Sequence, residues 1–204
     1  MSTMSDPLGR NPSRLAGVPS MASGIPDCLI GDLRSDHAGE TGAVRIYQGI
    51  LAASRDPEVR AFAERHIATE REHLELVSAV FPKRLHSRLL PIWNVAGFLT
   101  GWFPALLGKR AVFATIEAVE TFVDHHYQEQ VDKIDAMLAS ASSTATARDL
   151  HSLRDLITYC QADEIHHRDE AAALAGADRS PLIRLWCWMV GAGSSSAVKL
   201  ARAI

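Results

Sequence analysis

Apolar side chains recur every three or four residues along four long stretches of the chain, the spacing that lines one face of an α-helix, while strand-type alternation is nearly absent. The pattern predicts an all-α fold. The first stretch runs from about Asp27 to Ser54, and Asp56 followed by Pro57 opens a second that lasts to Val80, just ahead of Pro82. A third covers about Lys109 to Ser140. The low-complexity run "ASASSTATA" then breaks the pattern, and a fourth stretch extends from about Arg148 to Leu174, closed by Gly176. Two helical hairpins are expected, joined by a longer connection.

That connection, "LLPIWNVAGFLTGWFPALL" from Leu89 to Leu107, is nineteen residues without a charge, long enough to cross a bilayer. Pro91, Asn94, Gly97, Gly101 and Pro104 interrupt it, and Trp93 and Trp102 are types that favour a membrane interface. The expectation is a broken helix lying on or dipping into one leaflet. The alternative is that it packs internally as the crossover of a bundle. A second apolar stretch, "PLIRLWCWMVGAG" from Pro181, ends in a short basic segment with Lys199 and Arg202, and the same two readings apply: lipid contact, or a cap on the bundle.

Traced at helical spacing, each inward stripe is apolar at both ends and carries acid in the middle. The second stretch presents Val59, Phe62, His66, Glu70, His73, Val77 and Val80; the fourth presents Leu150, Leu153, Ile157, Cys160, Glu164, His167, Ala171 and Leu174. Both contain Glu-x-x-His. The first stretch supplies Glu40 between Leu33 and Val44, and the third supplies Glu120 between Ile116 and Val123. Burying one unpaired carboxylate costs several kcal/mol, and clustered carboxylates also repel, so multivalent cations are required between them. Glu, Glu-x-x-His, Glu, Glu-x-x-His from four helices is the donor set of a di-iron or di-manganese carboxylate bundle. Oxygen and imidazole donors suit iron or manganese, and no thiolate set points to structural zinc.

Other polar residues fall off these stripes. Glu72 and Glu75 lie with Arg65 on a polar face, Glu117 with Thr121, Asp124 and Gln128, and His166 with Asp163 and Glu170, which makes them solvated or outer groups. Because metal-bound histidines donate their second ring nitrogen to an acceptor or pack against one, Asp36, Asp163, His126 and Tyr127 are outer-shell candidates.

Composition narrows the picture. A formal net charge of -3, with 22% charged residues and no basic aromatic cluster, argues against nucleic acid as a partner. Cys28, Cys160 and Cys187 show no CxxC spacing and read as buried thiols in a reducing compartment. Residues 1–26 are rich in Pro, Ser and Gly and are expected to be irregular or disordered, with prolines that oppose an amphipathic targeting helix. Residues 27–204 then form one domain.

The segments "DHAGETGA", "EREH", "LLGK", "AVETFVDHHY", "DEIHH" and the end "VGAGSSSAVKLARAI" resemble the demethoxyubiquinone hydroxylase family, part of the ferritin-like di-iron superfamily, over about residues 26–204. The resemblance implies a ferritin-like bundle in which Glu40, Glu70, His73, Glu120, Glu164 and His167 bind two iron ions. It implies a monooxygenase that uses O2 and an external reductant to hydroxylate the quinone ring of a demethoxyubiquinone. Thr121 stands where the family usually has a second acid after the third-helix ligand. His126 and Tyr127 fall in a motif beside the family's site, which suggests proton or electron delivery. The implied polyprenyl benzoquinone substrate resides in lipid, so the expected location is peripheral, on the cytoplasmic face of a bacterial inner membrane, with the inner mitochondrial membrane second. An iron-storage or ferroxidase protein would use the same bundle, but the uncharged connection argues against a soluble cage.

Overall fold

The computed structural model describes residues 24–204. The irregular N-terminal segment expected from composition lies almost wholly outside the described residues. Among those described, the order is α1 (Asp27–Ala53), α2 (Pro57–Val80), a 3-10 turn (Lys83–Leu85), α3 (Leu90–Leu107), α4 (Lys109–Ala139), α5 (Thr144–Ala175) and α6 (Pro181–Ala203), with no strand. The fold is all-α and ferritin-like. Hairpins α1–α2 and α4–α5 form the four-helix bundle, α3 crosses between them, and α6 lies against α1 and α4.

Local chemistry explains the hairpin turns. Asp56 caps α2 by accepting from the backbone N–H groups of Glu58 and Val59, and Pro57 occupies the first turn, where its missing N–H costs nothing. Gly108 joins α3 directly to α4 at φ +103°, a conformation that side chains with a Cβ rarely adopt. The "ASASSTATA" run is not a long break: α5 already starts at Thr144, so the interruption shrinks to residues 140–143. Its alanines are strong helix formers, and the tertiary fold extends the helix through them.

The bundle core has three layers. At one end Tyr47, Ile50, Phe62, Phe113 and Ile116 pack together; at the other, Leu29, Leu33, Val131, Ile134, Leu150 and Leu153 do so. Between them lies a buried polar layer containing Glu40, Glu70, His73, Glu120, Glu164 and His167. Antiparallel pairing makes this possible, because each helix carries its acid at mid-length and all four arrive at one height.

The crossover departs from expectation. It is one continuous helix, α3, with Pro104 inside it, rather than a broken one. Gly97, Gly101 and Pro104 are its buried residues, at helical spacing, and Asn94 continues that face by accepting from Arg45 of α1. The residues that look like helix breakers are the contact face. A Cβ on Gly101 would sit 1.9 Å from the carbonyl oxygen of Ile46, and one on Gly49 would sit 2.1 Å from that of Phe98. The two backbones touch through small residues, as in helix pairs that pack by Gly-x-x-x-Gly. The C-terminal stretch α6 is likewise a single helix. Both helices pack by one face and expose the other: Leu99, Phe103 and Leu107 on α3, and Leu182, Leu185 and Trp188 on α6, are exposed. By length and composition α3 could cross a membrane.

The cysteines are not uniformly buried. Cys160 is buried, Cys187 is half-buried and Cys28 is exposed near the start of α1.

Replacing Gly101 with alanine is expected to lower stability by about 1–3 kcal/mol, the usual cost of overpacking, because the obstructing atoms are backbone. Urea unfolding monitored by circular dichroism measures this, and an unchanged midpoint would refute the close α1–α3 contact.

Candidate metal centre

Each of the four bundle helices delivers its mid-stripe acid to the central layer. Glu40, Glu70, His73, Glu120, Glu164 and His167 are all at most 3% exposed. They form two overlapping groups, Glu40–Glu70–His73–Glu164 and Glu70–Glu120–Glu164–His167; within each group, one potential ligand atom per residue lies within 4.8 Å of the others. Glu70 and Glu164 belong to both. His73 Nδ1 lies 3.0 Å from Glu164 Oε1 and 3.7 Å from Glu40 Oε2. His167 Nδ1 lies 3.0 Å from Glu70 Oε1 and 3.3 Å from Glu164 Oε2.

The donors fit a pair of metal ions and fit poorly with one another. Glu40 Oε2, both oxygens of Glu70, Glu164 Oε2 and His167 Nδ1 are buried without a well-directed hydrogen bond. Native interiors rarely tolerate so many unsatisfied polar atoms in one place. Burial, with repulsion from neighbouring carboxylates, pushes Glu40, Glu70 and Glu120 above the usual carboxylate range. Glu164 goes the other way: burial would raise it, but His167 and His73 outweigh that and hold it well below. Burial likewise opposes a charged His167, yet Glu164 and Glu70 raise it to about 9. His73 is raised well above its ordinary value against the same opposition, with Asp163 and Glu164 among the causes.

The surrounding residues hold these donors in place. Asp163, assigned by its spacing to a polar face, is buried, and its Oδ2 lies 3.0 Å from His73 Nε2. This turns Nδ1 of the same ring toward the carboxylates. The Tyr127 hydroxyl donates to Glu40. His126 does not touch the six; its Nε2 lies 3.0 Å from Asp36 Oδ1, so these two outer-shell candidates pair with each other. Glu72 and Glu75 are exposed, as the stripes implied.

Sequence reasoning missed one partnership entirely. His66 Nε2 lies 2.8 Å from Glu170 Oε2, Arg65 holds the other Glu170 oxygen, and the His66 ring packs edge-on against His167 with centroids 4.0 Å apart. Burial lowers His66 to about 4, and the bond from His66 helps hold Glu170 near 2, so a neutral imidazole donates to an ionised carboxylate. The signal was visible only in part: His66 sits on the apolar stripe one turn before Glu70, but its partner is on another helix.

The centre opens on a cavity of about 360 Å³ between α1, α3, α4 and α6. Ile46, Val119, Val123, Trp186 and Val190 are among its apolar walls, and Glu40, Glu70, Glu120 and Glu164 line it at the centre.

Stripped of metal, the protein is expected to lose stability as pH rises. His167 has its folded value raised from 6.5 to about 9, so its stabilising contribution is complete below 6.5 and disappears as pH climbs through 9. The raised Glu40, Glu70 and Glu120 act in the same direction. Calorimetry of chelator-treated protein should show a falling melting temperature from pH 6.5 to 9, and metal-loaded protein should resist it; parallel profiles would contradict the charge assignment. Asp163→Ala is expected to weaken metal binding about 10–100-fold, read by competition with a chromogenic chelator.

Comparison with known proteins agrees with this geometry. Residues 29–201 match the family profile described as ubiquinone biosynthesis protein COQ7. The Rhodospirillum rubrum protein named 3-demethoxyubiquinol 3-hydroxylase is 36% identical over 188 residues, covering 91% of this chain and 81% of its own. The mitochondrial NADPH-dependent 3-demethoxyubiquinone 3-hydroxylases are similar too: that of Dictyostelium discoideum is 34% identical over 176 residues, 83% of this chain and 74% of its own. That of Caenorhabditis elegans is 30% identical over 174 residues, 84% and 88%. With a matching profile across most of its length and donors gathered at mid-bundle, this chain belongs to the COQ7 family of ubiquinone biosynthesis proteins.

Proposed function

We propose that the chain is a di-iron monooxygenase that hydroxylates the quinone ring of a demethoxyubiquinone in ubiquinone biosynthesis. One observation carries the reading: six buried metal-donor side chains cluster together, and four of them, Glu40, Glu70, Glu120 and Glu164, line a cavity with largely apolar walls. The names of the relatives support the substrate class, and the match over residues 29–201 supports treating 27–204 as one functional domain.

In this reading Glu40, Glu70, His73, Glu120, Glu164 and His167 would hold two ions, iron in preference to manganese; Glu70 and Glu164 belong to both donor groups. When bound, the iron pair supplies the reductive activation of O2. The balance is one ring C–H converted to C–OH, the second oxygen atom leaving as water, and two electrons and two protons from an external reductant. The chain supplies the rest. Asp163 fixes the ring of His73, the Tyr127 hydroxyl orients Glu40, and apolar walls keep water from the reacting ring. His126 and Tyr127 border the cavity and are the candidates for moving a proton or electron into it.

A polyprenyl quinone needs an apolar route, and the cavity is walled by α3 and α6, whose outer faces expose large hydrophobic residues. These faces suit peripheral attachment to a membrane, the cytoplasmic face of a bacterial inner membrane first and the inner mitochondrial membrane second. A storage cage would instead need a polar exterior.

Expression in a strain that accumulates demethoxyubiquinone is expected to restore ubiquinone, detected by mass spectrometry, and Glu164→Ala to abolish it. Two bound irons with no ubiquinone formed would reject the hydroxylase reading and favour storage or another oxidase.

A further inference from the structure

The two helices outside the bundle share a charge pattern that the metal centre does not use. Residues 82–110 and 179–204 hold nine Lys and Arg and no Asp or Glu, so all 24 acidic residues lie in the rest of the chain. The same two segments contain every large hydrophobic side chain that is exposed among the described residues, from Ile92 to Leu107 and from Leu182 to Ile204. Three of the nine cations are engaged within the fold: Lys109 pairs with Glu58, Arg179 with Glu117 and Arg202 with Asp32. The other six, Lys83, Arg84, Arg88, Arg110, Arg184 and Lys199, are exposed and pair with no acid among the described residues.

These six sit at the two ends of the apolar face. Lys83, Arg84 and Arg88 lead into α3, and the Arg88 backbone N–H donates to the Ile204 carbonyl at 3.0 Å, which brings the end of α6, with Lys199, to the start of α3. At the opposite end the rings of Phe103 and Trp186 have centroids 5.3 Å apart, so Arg110 and Arg184 flank that end. The two helices run antiparallel, and α3 has no charge between its ends.

We propose that this face is a docking surface for an anionic phospholipid bilayer, on which α3 and α6 lie along the headgroup layer with their apolar side chains at the acyl boundary. This rests on the membrane reading above and adds which lipids the face selects and how it lies. Charge complementarity names the occupant. Exposed apolar side chains favour any bilayer, whereas cations at both ends, with no acid among them, gain only from a negative surface. The acid-rich remainder of the molecule is repelled by that surface, which turns this face toward it. A second copy of the chain fits worse, because packing face to face would set like charges together. Crossing the bilayer is opposed by α1: its backbone meets that of α3 at Gly49, Gly97 and Gly101, so a spanning α3 would draw a charged helix into hydrocarbon.

The test is co-sedimentation of full-length protein with vesicles of phosphatidylcholine alone, and of phosphatidylcholine with one third phosphatidylglycerol, at low and high salt. Wild type should bind the anionic vesicles about tenfold or more tightly than the neutral ones at low salt, and high salt should erase most of that difference. Lys83→Gln with Arg84→Gln removes two exposed cations and should weaken anionic binding about fivefold to thirtyfold, with neutral binding unchanged. Arg71→Gln with Arg148→Gln removes the same charge from exposed positions on α2 and α5, away from the face, and should bind as wild type does. Trp188→Ala should weaken binding to both vesicles alike. Equal binding of wild type to both, or equal losses in the two double variants, would overturn the anionic preference and leave the membrane reading standing. Binding to neither would overturn both, and a dimer in sedimentation velocity that Trp188→Ala dissociates would then assign the face to a second copy.

Discussion

Four carboxylates packed into the centre of an apolar bundle set the terms for everything around them. Their mutual repulsion and lost hydration must be offset, either by protonation, which burial favours at Glu40, Glu70 and Glu120, or by positive charge, of which the two histidines beside them supply part. The rest of the molecule manages this layer. Apolar clusters above and below clamp the four helices at one register, so that Glu40, Glu70, Glu120 and Glu164 meet at the same height. Slippage of any helix by one turn would leave the acids without a common focus, putting for example Val44 or Asp36 where Glu40 stands and Cys160 or Arg168 where Glu164 stands.

The centre is closed on one side and open on the other. Toward α2 and α5 the donors are backed by polar pairs that reach the surface in steps, Asp163 behind His73 and the His66–Glu170–Arg65 set behind His167. These pairs stiffen the histidine rings. Toward α1 and α4 the acids face a chamber that the bundle alone would not enclose. The chamber exists because α3 and α6 lean on the outside of the bundle and supply its far wall. The division follows from composition: histidine-bearing helices need acceptors behind them, whereas the two helices with single acids have no such requirement.

The added helices also reconcile two demands. α3 must approach α1 closely enough to seal the chamber, which the backbone contacts at Gly49, Gly97 and Gly101 permit. Its opposite face stays apolar and exposed, as does that of α6. A helix with a small-residue face inward and a large apolar face outward is suited to a boundary between protein and lipid. Arg202 then ties the end of α6 to both Asp32 and His126, joining the chamber wall to the polar group at its floor.

Much of this was legible in the chain itself. Helical periodicity is a local property, so the four bundle helices, their boundaries near Pro57 and Gly176, and the six donors on inward stripes could all be read without a fold. An uncompensated acid in an apolar stripe is also a local anomaly, which is why a buried cluster of acids and histidines able to hold metal was predictable from charge alone. What needed tertiary structure was every feature made by residues distant in the chain. Asp36 and His126 are 90 positions apart, and Glu170 meets His66 across 104. Asp163 read as either solvated or an outer-shell partner because its own helix presents it beside polar neighbours; only the approach of α2 decides between the two and sets it against His73. Pro104 and the glycines of α3 looked like interruptions for the same reason, since a residue's helix propensity says nothing about a partner backbone that only a small side chain lets in.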